Sequence, residues 1–312
     1  MDYREFAGLL LERDRFLILS HKNPDGDTLG SGAALCSALR RVGKTAYVYP
    51  NAQLTPRMED YVLPYFAPAE YAPACVLAVD IATPSLFPQG FEGHAALCVD
   101  HHPTNSFYAD HTLLHDEKSS CGEAVLELIE EMTGSVTPQE ATLLFIALTT
   151  DCGCFQYMNT NADTMRAAAR LIDLGAEQHK IVHDFFRKVS VARLKLEGMI
   201  YSSMGFYRDN GVVTALVTQE MLRAAGTTEN DLDDLAGLPG RASGGTVTIL
   251  IRELEDGRSK CSVRSTPAVD SSAICALFGG GGHAMAAGVT LDCDPKTAER
   301  KLLAAVDQVW PK

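Results

Sequence analysis

Phe16-Leu17-Ile18-Leu19-Ser20-His21-Lys22-Asn23-Pro24-Asp25-Gly26-Asp27-Thr28-Leu29-Gly30-Ser31 opens as an unbroken apolar run and closes in a helical pattern. The run reads as a buried strand, and the apolar spacing from about Leu29 to Val42 predicts the helix that follows. Between them lies a polar turn kept tight by Pro24 and Gly26, carrying one imidazole, His21, and two carboxylates, Asp25 and Asp27. In open α/β sheets, ligands gather outside the carboxyl ends of the strands, which is where this turn falls. Taken alone, Asn-Pro-Asp-Gly-Asp is equally a surface turn.

The neighbouring segments repeat the strand-then-helix pattern. Ala46–Tyr49, Cys75–Asp80 and Ala95–Asp100 read as strands, the last two each ending in an aspartate. Helices are expected over Cys121–Met132, Pro138–Thr149 and Thr160–Leu174, with Pro138 in a first turn and Gly175 as a C-terminal stop. This alternation predicts an α/β domain with a mostly parallel, doubly wound sheet covered on both faces. After residue 187 the pattern changes. Val191–Met204 reads as a linking helix, and Val212–Thr218 and Thr246–Glu253 as strands. The second of these turns at Asp256-Gly257 into Lys260–Ser265, a hairpin signal. A short helix, the tract Gly279-Gly280-Gly281-Gly282-His283 and a final helix over Lys296–Val309 complete the chain. The expected organisation is a catalytic domain over 1–187, a linking helix within 188–205, and a smaller α/β domain over 206–312.

Composition narrows the partners. The chain has 312 residues, 46% hydrophobic and 21% charged, which is globular-protein composition with material for about two cores. No apolar stretch approaches the ~20 residues of a membrane span, and no secretory signal is visible at the N-terminus. The nine cysteines lack zinc-type pairing, and Cys152-Gly-Cys154 does not match a CxxC motif. Reduced thiols in the cytosol, with no membrane association, are the expectation. Lys and Arg total 27 against 40 Asp and Glu, a net charge of −13. Such a surface disfavours long duplex nucleic acid, while short oligonucleotides held in a local pocket remain compatible.

His21, Asp25 and Asp27 are joined by Asp80, by Asp100-His101-His102 and by Asp151, which follows the apolar run Leu143–Leu148. One strand-end aspartate is an ordinary cap or turn former. Five acidic positions and three histidines converging from four segments on one sheet edge are not. Unneutralised, these carboxylates would repel one another and raise their own pKa values. The four charges of Asp25, Asp27, Asp80 and Asp151 would be balanced by two divalent cations. Oxygen-rich ligation with imidazole and without thiolate favours Mn²⁺, or Mg²⁺, over structural zinc. Two such ions ~3.5–4 Å apart clamp the attacking and leaving oxygens of a phosphoryl centre.

These motifs, in this order, resemble the DHH phosphoesterase superfamily, and Ser262-Val263-Arg264-Ser265 with Gly279–His283 resembles its associated C-terminal domain of the first type. Length and domain pair are most similar to the branch that degrades nanoRNA and dephosphorylates 3′-phosphoadenosine 5′-phosphate (pAp). The resemblance implies that His21 and Asp25 hold one metal, that Asp27, His101 and Asp151 hold the other, and that Asp80 bridges them. His102 would face the scissile phosphate, with Asp100 orienting the histidine pair. Arg264, Ser265, Gly280, Gly281, Gly282 and His283 would bind substrate across a cleft, His283 also stabilising phosphate oxygens. The implied activity is two-metal hydrolysis of short single-stranded oligoribonucleotides and of pAp. The alternative is a phosphodiesterase of cyclic dinucleotides or their linear products. The oligomeric state is left open, a homodimer included. Where the family often has Thr-Gly and then Arg, this chain has Cys152-Gly153-Cys154-Phe155-Gln156, and Ala284 stands where Pro is frequent. His94, His111, His115, His179 and His183 have no motif context and read as surface or structural.

Overall fold

In the computed structural model, which describes residues 1–228, 231–232 and 235–311, the chain divides into two units, Met1–Lys188 and Val189–Lys312. The first runs α1 (Tyr3–Glu12), β1 (Phe16–Leu19), α2 (Gly26–Arg41), β2 (Ala46–Val48), α3 (Pro56–Val62), β3 (Cys75–Val79), β4 (Leu97–Asp100) and β5 (His111–Leu114). It continues with α4 (Cys121–Thr133), α5 (Pro138–Asp151), α6 (Ala162–Asp173), α7 (Gln178–Val182) and a π-helical turn over His183–Arg187. The five strands lie in the order β2-β1-β3-β4-β5, and every pair is parallel. The chain leaves β1 towards β2 on one side and returns to β3 on the other. That reversal makes a topological switch point between β1 and β3, where open sheets of this order bind ligands.

Helix α2 starts at Gly26, three residues before its apolar spacing implies, because the Asp25 carboxylate accepts from the N–H groups of Asp27 and Thr28. Such a cap is worth about 1 kcal/mol. Helix α5 is buried along Glu140–Thr149, so it is a central helix rather than an amphipathic surface one. Glycines let its neighbours approach: a Cβ on Gly30 would stand 2.5 Å from the Leu143 carbonyl oxygen, and one on Gly122 2.7 Å from the Ala147 Cβ. Phe16, Ile18, Leu77, Val79, Leu97 and Val99 share a core with these helices. On the opposite face, Leu17, Leu19, Ala78 and Cys98 meet Phe87, Phe91 and Tyr108 from loops instead. The β3–β4 connection carries Pro84, Pro88, Gly90 and Gly93, and forms only a 3₁₀ turn over Pro84–Leu86.

The second unit runs α8 (Val191–Ser202), β6 (Gly205–Tyr207), β7 (Val212–Val217), α9 (Gln219–Ala225), β8 (Val247–Glu253), β9 (Ser259–Ser265), α10 (Ser271–Ala276), β10 (Gly281–His283), β11 (Ala286–Leu291) and α11 (Pro295–Val309). Its six strands follow the order β10-β11-β9-β8-β7-β6, with only β7 and β8 parallel. Leu196 and Ile200 of α8 pack with Ala215, Val217 and Leu250. The glycine tract differs from the loop its composition suggests, because Gly281–His283 forms the edge strand β10. A Cβ on Gly280 or Gly282 would come within 2.5 Å of the β11 backbone, so those two glycines answer to strand packing. Among the described residues, no helix is long and apolar enough to cross a membrane.

Candidate metal centre

Strand ends deliver most of the candidate ligands. The Thr28 hydroxyl accepts from the His21 N–H (3.2 Å) and donates to the Val79 carbonyl (2.9 Å), tying the ends of β1 and β3 together. His21 and Asp80 thereby meet, Nε2 lying 3.7 Å from Asp80 Oδ2 and 3.4 Å from Asp25 Oδ2. Asp80 itself takes a left-handed backbone, φ +59°, a conformation that asparagine and aspartate tolerate better than most residues.

Asp27 is buried with its carboxylate against the N-terminus of α4. It accepts from Cys121 N (2.7 Å), Gly122 N (2.9 Å) and the Ser31 hydroxyl (2.9 Å). His101 Nδ1 lies 3.2 Å from the Lys118 carbonyl, which can only accept, so Nδ1 carries the proton and the Nε2 lone pair is free. That nitrogen faces three carboxylates: Asp80 at 3.5 Å, and Asp27 and Asp151 at 3.7 Å each. Asp151 closes α5, at the negative end of the helix dipole, where a cation is favoured and a bare carboxylate is not. His102 Nδ1 donates to Asp100 Oδ1 (2.7 Å), and Asn105 holds the other Asp100 oxygen at 2.6 Å.

Three clusters emerge, His21–Asp25–Asp80, Asp27–His101–Asp151 and Asp80–His101–His102, in each of which the ligand atoms lie within 4.8 Å of one another. Without cations the arrangement is electrostatically strained. Burial, with Asp151 and Asp25 alongside, pushes Asp27 well above the ordinary carboxylate range. Burial and then Asp27, Asp25, Asp100 and Asp151 do the same to Asp80, and burial raises Asp151. At Asp25 burial also opposes ionisation, but the His21 imidazole and two backbone amides outweigh it and hold the carboxyl low. Burial is likewise outweighed at Asp100, by the bonds from His102 and Asn105, while the Asp100 bond raises the His102 pKa against burial. Asp80 Oδ1 is buried and, among the described residues, has no hydrogen-bond partner. A buried carboxylate oxygen left unmatched among two imidazoles and further carboxylates fits a hard divalent cation.

The second unit holds the other residues singled out from sequence. His283 pairs with Ala286 and Ala286 with Arg264, so His283 and Arg264 project from one sheet face, two strand spacings or about 10 Å apart. Both are exposed, and among the described residues no carboxylate forms an ion pair with Arg264. The Ser265 hydroxyl lies 2.6 Å from the Val269 carbonyl and 2.8 Å from the Ser271 hydroxyl, so it fastens the turn after β9. Gly281 differs from its neighbours, since a Cβ there would meet nothing. Gln156 is exposed in the loop after Asp151, where Gly153, Cys154 and Phe155 all have positive φ. Reading the sequence alone passes over Thr28, Asn105 and Asn159. Asn105 is the one with a local signal, three residues beyond His102.

Residues 15–148 match the DHH family, N-terminal domain, and residues 209–310 match the DHHA1 domain. The chain belongs to the DHH family, a class of phosphoesterases. It is 33% identical to the bifunctional oligoribonuclease and PAP phosphatase NrnA of Thermus thermophilus, over 93% of this chain and 88% of that one. Among solved structures, an exopolyphosphatase-related protein from Bacteroides fragilis superposes with TM-score 0.83 at 22% identity, covering 98% of this chain and 96% of that one. The exonuclease RecJ bound to manganese shares the fold more distantly, with TM-score 0.52 at 15% identity over 99% and 94% of the two chains.

Proposed function

We propose that the protein is a two-metal phosphoesterase that hydrolyses short oligoribonucleotides and removes the 3′-phosphate of pAp. The observation that carries the metal reading is the buried Asp80 Oδ1, which has no hydrogen-bond partner among the described residues and belongs to a residue shared by two of the three ligand clusters. The substrate reading is supported by the name of the Thermus relative and by the length of both chains over which the likeness holds. His21 and Asp25 would hold one ion and Asp27, His101 and Asp151 the other, with Asp80 shared between them, and the hard donor set would favour Mn²⁺. Bound there, the ions supply Lewis acidity at the phosphoryl group and lower the pKa of water.

The chain's own residues do the remainder. His102, fixed at Nδ1 by Asp100, keeps Nε2 available to hold or give a proton at the phosphate oxygens. The low Asp100 pKa keeps that partner ionised, so the imidazole stays in one tautomer. Arg264, His283 and the open backbone at Gly281 bind the substrate's phosphates. Substrates are single-stranded and short, in keeping with a net charge of −13. We place the activity in the cytosol, where nine unpaired cysteines remain reduced.

The test is product analysis on 5′-labelled di- to pentaribonucleotides, pAp and a cyclic dinucleotide, with Mn²⁺. Turnover of the first two classes, abolished by Asp80→Ala, is expected. Preference for the cyclic dinucleotide would overturn the substrate assignment, and turnover persisting in Asp80→Ala would overturn the metal reading.

A further inference from the structure

Asp27, His101 and Asp151 come from three distant parts of the chain, yet one short segment, Lys118–Gly122, holds all of them. The Lys118 carbonyl accepts from the His101 Nδ1–H at 3.2 Å. The next carbonyl, Ser119, accepts from Asn159 Nδ2 at 3.1 Å, and the same Nδ2 lies 3.2 Å from the Asp151 carbonyl and 3.5 Å from its Oδ2. Cys121 N and Gly122 N donate to Asp27. The segment is locked from behind by Glu123, a buried carboxylate with no part in the chemistry above. Glu123 Oε1 accepts from Ser119 N (3.1 Å), the Ser119 hydroxyl (2.5 Å) and the Thr164 hydroxyl (3.3 Å).

The other cluster is framed only in part, at Asp25 Oδ1. Among the described residues, nothing hydrogen-bonds the His21 Nδ1, whereas His101 is fixed at that atom. The Asp25 side chain is 55% exposed, and its Oδ1 is engaged in capping its own helix. Ligands already fixed lose little freedom when an ion arrives, so framed ligands bind it more tightly.

We propose that Glu123 and Asn159 are positioning residues that make Asp27–His101–Asp151 the tight ion site and leave His21–Asp25 as the exchangeable one. The inference rests on the two-metal reading above. Mn²⁺ titration followed by electron paramagnetic resonance of the free ion, with calorimetry alongside, tests both separately. The wild type is expected to bind two ions in two affinity classes; if it binds none, the metal reading itself falls. Asn159→Ala weakens the tight class about 10- to 100-fold, leaving the weak class unchanged. Because Asn159 is exposed, the melting temperature of the metal-free protein stays put. Asn159→Asp keeps the shape, removes the donor and adds negative charge: positioning predicts weaker binding, and charge alone predicts tighter. Glu123→Gln loosens the same class, while Glu131→Gln, on the exposed side of the same helix, changes nothing. If Glu123→Gln does not fold, the two Asn159 variants decide. With two ions bound by the wild type, equal weakening of both classes, no weakening, or tightening by Asn159→Asp overturns the proposal.

Discussion

Replacing Asp80 with asparagine should make the metal-free protein more stable and the metal-loaded protein less so. Asp80 is 3% exposed, its Oδ1 lacks a hydrogen-bond partner, and its ionised form is opposed by burial and by Asp27, Asp25, Asp100 and Asp151. Two like charges about 6 Å apart repel by about 3 kcal/mol at an effective dielectric of ~20. Protonation already relieves part of this in the metal-free state, which leaves a gain of about 2 kcal/mol for the neutral amide. Asparagine accepts the φ of +59° that alanine would resist, so no backbone penalty confuses the result. In a unit of this size the gain corresponds to a rise of roughly 4–8 °C in melting temperature. Mn²⁺ at a hundredfold excess over its Kd should stabilise the wild type by about 2.7 kcal/mol, a response Asp80→Asn loses. Scanning calorimetry of both proteins, with chelator and with Mn²⁺, reads these shifts. A variant that melts below the wild type in chelator, or that keeps the Mn²⁺ response, would refute the reasoning.

Other expectations can be checked with the same material. His102→Gln should lower kcat by about 10²- to 10⁴-fold while Mn²⁺ content stays at the wild-type level, since its role lies in proton transfer; elemental analysis beside kinetics separates the two. The raised carboxyls of Asp27, Asp80 and Asp151 bind protons more tightly folded than unfolded, as does His102. Metal-free stability must therefore fall as pH rises from the ordinary carboxylate range through neutrality, and the Mn²⁺-induced rise in Tm must grow over the same interval. A pH series of thermal melts with and without the ion shows whether it does. Gly281→Ala meets no atom in the fold, so it should raise KM with Tm unchanged. Gly282→Ala, at φ +144° and 2.5 Å from the Ala286 oxygen, should destabilise by about 1–3 kcal/mol. Equal stability loss in both would show that the tract is structural throughout.

Much of the fold is legible because its central strands are apolar on both faces and bounded by sharp polar turns, as at Leu19-Ser20-His21 and Val79-Asp80. The site is legible for a related reason: parallel strands send their carboxyl ends to one edge, so Asp80 and Asp100 could be assembled before any distance was known. The edge strands β5 and β10 are not. Strand β5 is four residues with only Leu113 buried, and β10 is Gly-Gly-His, with no β-branched residue to announce it. The supporting residues escape because their roles exist only in three dimensions. Asp27 reads as a first-turn residue of its own helix, yet its carboxylate binds the start of another helix 94 positions away. Asn159 looks like a loop residue, and Glu123 like an ordinary first-turn acid of α4.

The central claim is that these groups exist to hold a pair of cations. Crystals grown with Mn²⁺ and measured at the manganese absorption edge test it directly. Two anomalous peaks are predicted, one among His21, Asp25 and Asp80 and one among Asp27, His101 and Asp151. An empty site under saturating Mn²⁺, or peaks only elsewhere on the molecule, would contradict the account.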